Sequence, residues 1–266
     1  MISDNRKILV AALVVMVFII IGVAIGLKIS ERIAVTDLQT PVVPIVATPI
    51  NEQTKVDPCG GVSSIEGVGG ISYYTVVGPN DRCWLDRNLG AQQAATFSAD
   101  KYAFGYLYQW GRGNDGHQMV TNPAKDGQSS LTAPGSAFLF HYGSGNWYAG
   151  DNLNLNALWQ GISGINNPCP TGFRVPTQSE WASFAASLSP QTNEGAFTSA
   201  LKLPLGGSRG QSDGLPGSQG SLGFYWSSTV KETDTSYTFS LISNGGINAR
   251  DNGYRSTGFS VRCIKD

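Results

Sequence analysis

Charge and histidine are scarce in this chain of 266 residues: Asp, Glu, Lys and Arg together make up 14%, the formal net charge is −1, and there are only two histidines. No cluster of Lys or Arg offers a basic surface from which phosphate contacts would release counterions, so a nucleic-acid partner is not expected. His117 and His141 lie beside neither a cysteine nor an acidic cluster in the sequence, and both read as loop or core residues rather than bases or metal ligands. The four cysteines contain no Cys-x-x-Cys pair of the kind that metal sites use. A calcium loop of EF-hand form is missing, as is any Asn-x-Ser/Thr sequon. No cofactor, metal ligand or catalytic residue is therefore expected. What the chain has instead is glycine, 33 of them, with abundant Ser, Asn and Thr and six tryptophans. That mixture describes a loop-rich fold held by aromatic anchors.

Ile8 to Leu27 is an uncharged apolar run, long enough at about 1.5 Å per residue to cross a hydrocarbon core of roughly 30 Å. It exceeds the usual signal-peptide core and no clean small-x-small site follows, so an uncleaved membrane anchor is expected, with residues 1–7 before it. Residues 28–58 shift to Pro, Val, Thr and Gln, with Pro41, Pro44 and Pro49 spaced along them. Such a segment favours extended conformations and reads as a stalk or linker. Residues 59–266 have the size of one domain.

Within that domain the run from Cys169 to Trp181 is the most informative. Thr177 followed by Glu180 has capping-box spacing, so a helix is predicted to start there. Trp181, Phe184, Ala185 and Leu188 make one apolar stripe behind it, Ser183, Ala186 and Ser187 face elsewhere, and Pro190 limits the helix. Upstream, Phe173 and Val175 of a short extended run point to one side. Ile71–Val77 and Arg82–Asp86 read as a hairpin across the turn cluster Gly78–Asp81. The long stretch from Gly113 to Pro168, with scattered Phe138, Phe140, Tyr142, Trp147, Tyr148 and Trp159, is expected to be ordered but irregular. Near the C-terminus, Tyr237, Phe239 and Leu241 alternate with polar residues, Asn244-Gly245 supplies a hairpin turn, and Asp251-Asn252-Gly253 reads as a further break. Phe259 to Ile264 is the last predicted strand, with Cys263 buried.

The run Cys-Pro-Thr-Gly-Phe-Arg-Val-Pro-Thr-Gln-Ser-Glu-Trp at 169–181 resembles the Cys-Pro-x-Gly-Trp-x-x-Pro-x-x-x-Glu-Trp signature of the Fibrobacter major paralogous (FISUMP) domain family. Trp84 to Ala91, Tyr106 to Arg112, Leu203 to Arg209 with Ser212-Asp213-Gly214, and Phe259 to Cys263 are similar to further elements of that family. The resemblance spans Cys59 to Asp266. It implies an α+β, C-type-lectin-like fold, loop-rich with small antiparallel sheets and few helices, related to formylglycine-generating enzymes. The active-site cysteine pair of those enzymes and the calcium motifs of true C-type lectins have no counterpart here, and no enzymatic activity is expected. Some proteins of this fold carry a C-terminal variable region rewritten by diversity-generating retroelements, and the composition of Thr233 to Ser256 fits that pattern.

Four cysteines allow three pairings. The favoured one joins Cys169 to Cys263, tying the central corner to the last strand, and Cys59 to Cys83, stapling the entry to the first hairpin. Oxidised cysteines would place the domain outside the cytosol, with the N-terminus of the anchor inside. The expected function is surface-displayed binding of an unknown protein or glycan through the segment from Val230 to Ser256, where sheet-forming apolar positions alternate with polar ones. Its candidate contact residues are Thr233, Asp234, Ser236, Ser243, Asn244, Asn248, Arg250, Asp251, Asn252, Tyr254 and Ser256, with Arg250 and Tyr254 as anchors. Asn244, Asp251 and Asn252 are equally at home as plain turn residues. The alternative is a structural cell-envelope or pilus-like component with no foreign ligand.

Overall fold

The computed structural model describes residues 59–61, 64–150, 155–242 and 245–266. All belong to one unit, Thr54–Asp266. The expected anchor at Ile8 to Leu27 and the stalk at 28–58 lie outside the described residues. Among the described residues, no helix is long and apolar enough to cross a membrane.

The domain is α+β and loop-rich, with small sheets that are mostly antiparallel and few helices. Its central corner forms as the local chemistry dictates. Thr177 caps helix α1 (Gln178–Ser187): its hydroxyl accepts from the Glu180 N–H at 3.2 Å, and its own N–H donates to the Glu180 carboxylate at 2.8 Å. A cap of this kind stabilises a helix by about 1 kcal/mol. Glu180 also receives two 2.8 Å bonds from Arg174, in strand β8 (Phe173–Arg174), so the helix start is bolted to the segment before it. Burial alone would raise the Glu180 carboxyl; the Arg174 pair and the Thr177 N–H outweigh it and hold the group below its ordinary value. Trp181 and Phe184 form the buried face of α1, and Leu188 is buried at its C-cap. A second helix, α2 (Asn193–Thr198), was not foreseen from the sequence; Thr192 caps it by accepting from the Gly195 N–H at 3.1 Å.

The first hairpin is present but shorter than expected. Strand β3 (Thr75–Val77) pairs with β4 (Cys83–Leu85) across Pro79–Asp81, where Asn80 and Asp81 both take positive φ. Ser72–Tyr73 (β2) pairs instead with Ile65–Glu66 (β1). The expected strand divides at Tyr74, whose N–H is taken by the Asp86 side chain at 3.0 Å while its carbonyl accepts from the Asp86 N–H at 2.9 Å. A side chain thus replaces one rung of the ladder and frees the preceding residues for another partner.

The predicted last strand is also two strands. Gly258–Phe259 (β14) lies between β9 (Ser208–Arg209) and β5 (Tyr108–Gln109), with β10 (Pro216–Gly217) outside β9. Ile264–Lys265 (β15) lies between β4 and β8. The chain between them crosses the core and changes partners at successive residues: Ser260 exchanges backbone bonds with Phe224 and Trp226, whereas the Val261 and Cys263 carbonyls accept from Leu89 and Leu85. Both of its sides are buried, including Arg262, whose guanidinium donates to Asn88 Oδ1 and to the Leu85 and Leu201 carbonyls.

Two disulfides join Cys59 to Cys83 and Cys169 to Cys263, the favoured pairing, and no cysteine is free. All six tryptophans are buried. Five donate their indole N–H to a backbone carbonyl, which fixes each ring in direction as well as depth. The described part of the 113–168 stretch is ordered and irregular apart from short elements, notably a parallel pair, β6 (Ala124–Asp126) with β7 (Phe138–Phe140). Phe138, Trp147, Tyr148 and Trp159 are its packed aromatics, and Tyr142 stays 85% exposed.

Candidate functional site

The segment singled out for recognition belongs to a three-stranded antiparallel sheet, β11 (Gly223–Val230), β12 (Thr235–Leu241) and β13 (Ile247–Tyr254), with β13 at its edge. One side of this sheet is fixed by aromatic packing on α1: the Phe239 ring stacks on Trp181 at 5.0 Å, and Tyr225 meets the same indole at 5.7 Å. On the other side Trp226 lies against Phe259 at 4.6 Å. The approach of Phe259 demands a glycine opposite it. A Cβ on Gly253 would sit 2.3 Å from the Phe259 ring.

Asp251-Asn252-Gly253 is therefore not a break, as its composition suggested, but the body of β13. Three pairings hold it there: Asp251 opposite Thr238, Asn252 opposite Tyr237 and Gly253 opposite Ser236. The register slips by one residue between Thr238 and Ser240, since Ser240 faces Asn248. Asn248, Arg250, Asn252 and Tyr254 are exposed, at every second position of the strand, and Thr233 is exposed in the β11–β12 turn. Asp234 and Asp251 are half-buried, and Asp251 Oδ2 accepts from the Ser240 hydroxyl at 2.8 Å. Asn252 Oδ1 accepts from Lys231 Nζ at 2.5 Å, which ties the turn to the edge strand.

Two candidates are not on the surface. Ser236 is buried opposite Gly253, beneath the sheet. Ser256 is buried because its N–H donates to the Gly145 carbonyl at 3.0 Å and its carbonyl accepts from Gln109 Nε2 at 2.6 Å. Ser243 and Asn244 lie outside the described residues, so the expected Asn244-Gly245 turn does too.

Sequence reasoning passed over Arg255, which lies between two candidates. It is buried, with its guanidinium 4.5 Å from the centre of the Trp110 ring. Nη2 donates to Asn156 Oδ1 at 2.8 Å and to the Glu232 carbonyl at 2.9 Å. Nothing in the local pattern marks it, because a charged residue after an exposed tyrosine reads as one more surface position. Arg255 lines a groove of about 580 Å³ between the 146–150 loop, residues 155–156 and the 230–233 turn. The loop's approach is close: a Cβ on Gly145 would lie 2.5 Å from Asp234 Oδ2 and 2.3 Å from the Tyr254 ring.

Each histidine contacts one aspartate. The buried His117 accepts the Gln109 N–H at Nε2 (2.9 Å), so its proton lies on Nδ1, facing Asp115 Oδ1 at 2.6 Å. His141 is solvent-facing, with Nδ1 3.2 Å from Asp126. Among the described residues, no group of three or more His, Cys, Asp or Glu is placed to hold a metal ion. Burial lowers the His117 pKa to about 4, the Asp115 bond opposing and the Arg112 charge assisting. An unfolded histidine titrates near 6.5, so between about 6.5 and about 4 the unfolded chain takes up a proton that the folded one refuses. The His117 contribution is complete above about pH 6.5 and is lost as pH falls, by about 3 kcal/mol over that window. Urea unfolding at pH 7 and pH 4.5 is expected to show this loss, and His117→Gln to lack that part of it.

No family model, curated protein or solved structure matches this chain.

Proposed function

We propose that this chain is a membrane-anchored, outward-facing recognition protein with a C-type-lectin-like FISUMP domain, binding a protein or glycan through β13 and the β11–β12 turn, without enzymatic activity. The observation that carries the reading is the contrast within one sheet. Thr233, Asn248, Arg250, Asn252 and Tyr254 face solvent, while Tyr225, Trp226, Phe239 and Leu241 of the neighbouring strands are fully buried. A rigid base under adaptable polar and aromatic side chains is what a binding surface needs, and it tolerates change at the exposed positions. The two disulfides and the apolar run at Ile8 to Leu27 support display outside the cytosol, N-terminus in. Retroelement diversification of the same positions is part of the proposal.

The test applies the full-length chain in nanodiscs to an array of surface proteins and glycans. The double variant Arg250→Glu/Tyr254→Ala is expected to lose at least about tenfold in affinity for whatever the array retains, as central aromatic and arginine anchors do. Glu194→Lys, at an exposed position of α2, is expected to change nothing. Self-association with no array binding would instead make the protein an envelope component. Sequencing codons 225 to 263 across a cell population reads diversification separately: substitutions at the Asn248, Asp251 and Asn252 codons with Trp226, Phe259 and Cys263 constant support it, and an invariant segment removes it.

A further inference from the structure

Buried arginines in this domain are satisfied, with one exception. Arg209 donates Nε, Nη1 and Nη2 to four backbone carbonyls. Arg112 pairs with Asp115 and also reaches Gln109 Oε1 and two carbonyls. Arg262 has Asn88 and two carbonyls, as described. Arg255 is 1% exposed, makes both of its side-chain hydrogen bonds through Nη2, and leaves Nε with no partner. Among the described residues no carboxylate lies within ion-pair distance of it; Asp234 acts on it only through its field. Burial lowers its pKa to about 10, so it keeps its charge at neutral pH. A buried, underpaired cation is costly unless an anion meets it.

The groove that Arg255 lines is of ligand size. Among its lining residues Lys231 and Glu232 cancel and Arg255 is left, with Asp234 acting on it from outside the lining; one such charge suits a monoanion rather than a phosphate dianion. The rest of its polar lining is amide and hydroxyl, from Asn146, Asn156 and Thr233, beside the Tyr148 ring. Such groups match a ligand dense in hydroxyls.

We propose that this groove binds an acidic sugar, with the carboxylate directed at Arg255 and the hydroxyls at Asn146, Asn156 and Thr233. The assignment rests on the recognition reading above, with which it shares Thr233, and names its ligand class.

Calorimetric titration of the full-length chain with sodium glucuronate, glucose and acetate in turn tests it. Glucuronate is expected to bind at least tenfold more tightly than either of the others. Thr233→Glu places a carboxylate at the exposed rim without touching the core, and is expected to weaken glucuronate at least fivefold with the melting temperature unchanged. Arg255→Met is expected to abolish binding; because Arg255 also ties two loops, its result is read together with Thr233→Glu. Glucose binding as tightly as glucuronate, acetate doing so, no heat with any of the three, or indifference to Thr233→Glu would each overturn the assignment. Glu194→Lys, an exposed position remote in sequence from the groove residues, is expected to retain glucuronate affinity. Array binding through β13 without glucuronate binding would sink only the sugar site, and glucuronate binding without any β13 dependence of array binding would sink only the β13 reading.

Discussion

Alanine at both Cys169 and Cys263 is expected to lower the unfolding free energy by about 4 to 5 kcal/mol, against about 3 kcal/mol for alanine at both Cys59 and Cys83. The difference follows from loop size. The bridges close sequence separations of 94 and 24, and the entropy withheld from the unfolded chain grows with the logarithm of the loop. Position in the fold acts in the same direction. Cys263 is fully buried and lies in the segment that connects β14 to β15, so its bridge joins the core crossing directly to the corner before α1. Urea unfolding of the oxidised parent and the two double variants reads the ranking. Equal losses, or the larger loss at Cys59–Cys83, would show that loop closure is not the governing effect.

Trp181→Ala is expected to cost about 3 to 5 kcal/mol. Four rings converge on this one indole: Trp84 at 5.3 Å, Phe184 at 5.8 Å, Tyr225 at 5.7 Å and Phe239 at 5.0 Å. Its N–H donates to the Trp226 carbonyl at 3.1 Å. Truncation removes the contact that docks α1 on the three-stranded sheet and leaves a cavity that neighbours on separate elements cannot readily close. Trp181→Phe keeps a ring in that space and forfeits the hydrogen bond and part of the volume, so its loss is expected to be clearly smaller. Thermal unfolding of both variants decides the matter; a Phe variant as unstable as the Ala variant would place the main effect in the hydrogen bond instead of the packing. Loss at Trp181 also bears on binding, because the exposed residues of β13 depend on this base for their positions.

The parts of the fold that could be read from the residues are those set by short-range chemistry. Thr177 and Glu180 are three residues apart and satisfy each other, so α1 begins where the spacing says. The Gly78–Asp81 turn carries its own backbone preference, and the hairpin around it follows. What escaped the reading depends on distant partners. Helix α2 has six residues, too few to announce themselves by periodicity, and is pinned by Asn193, whose N–H and side-chain amide donate to the Gly245 and Ile242 carbonyls. Asp251, Asn252 and Gly253 have turn propensity, but their rungs to β12 override it, and Gly253 serves Phe259 instead of a bend. In the candidate site, the exposure of Asn248, Arg250, Asn252 and Tyr254 was foreseen, though on turns and not on a strand. The burial of Ser236, Ser256 and Arg255 was not, because each depends on a loop or strand that comes close only in the folded chain.

The passage of residues 258–265 through the core bears on how the protein is made. A ribosome supplies residues in order, and the strands that flank this passage, β4, β5, β8 and β9, are all synthesised before it. Until it emerges they lack their shared neighbours, and Cys169 has no native partner, whereas Cys59 and Cys83 are complete early. The domain must therefore mature after most of it has left the ribosome, carrying one unpaired thiol for a stretch of 94 residues of synthesis. Early closure of the Cys59–Cys83 bridge leaves that thiol without a wrong partner from its own chain.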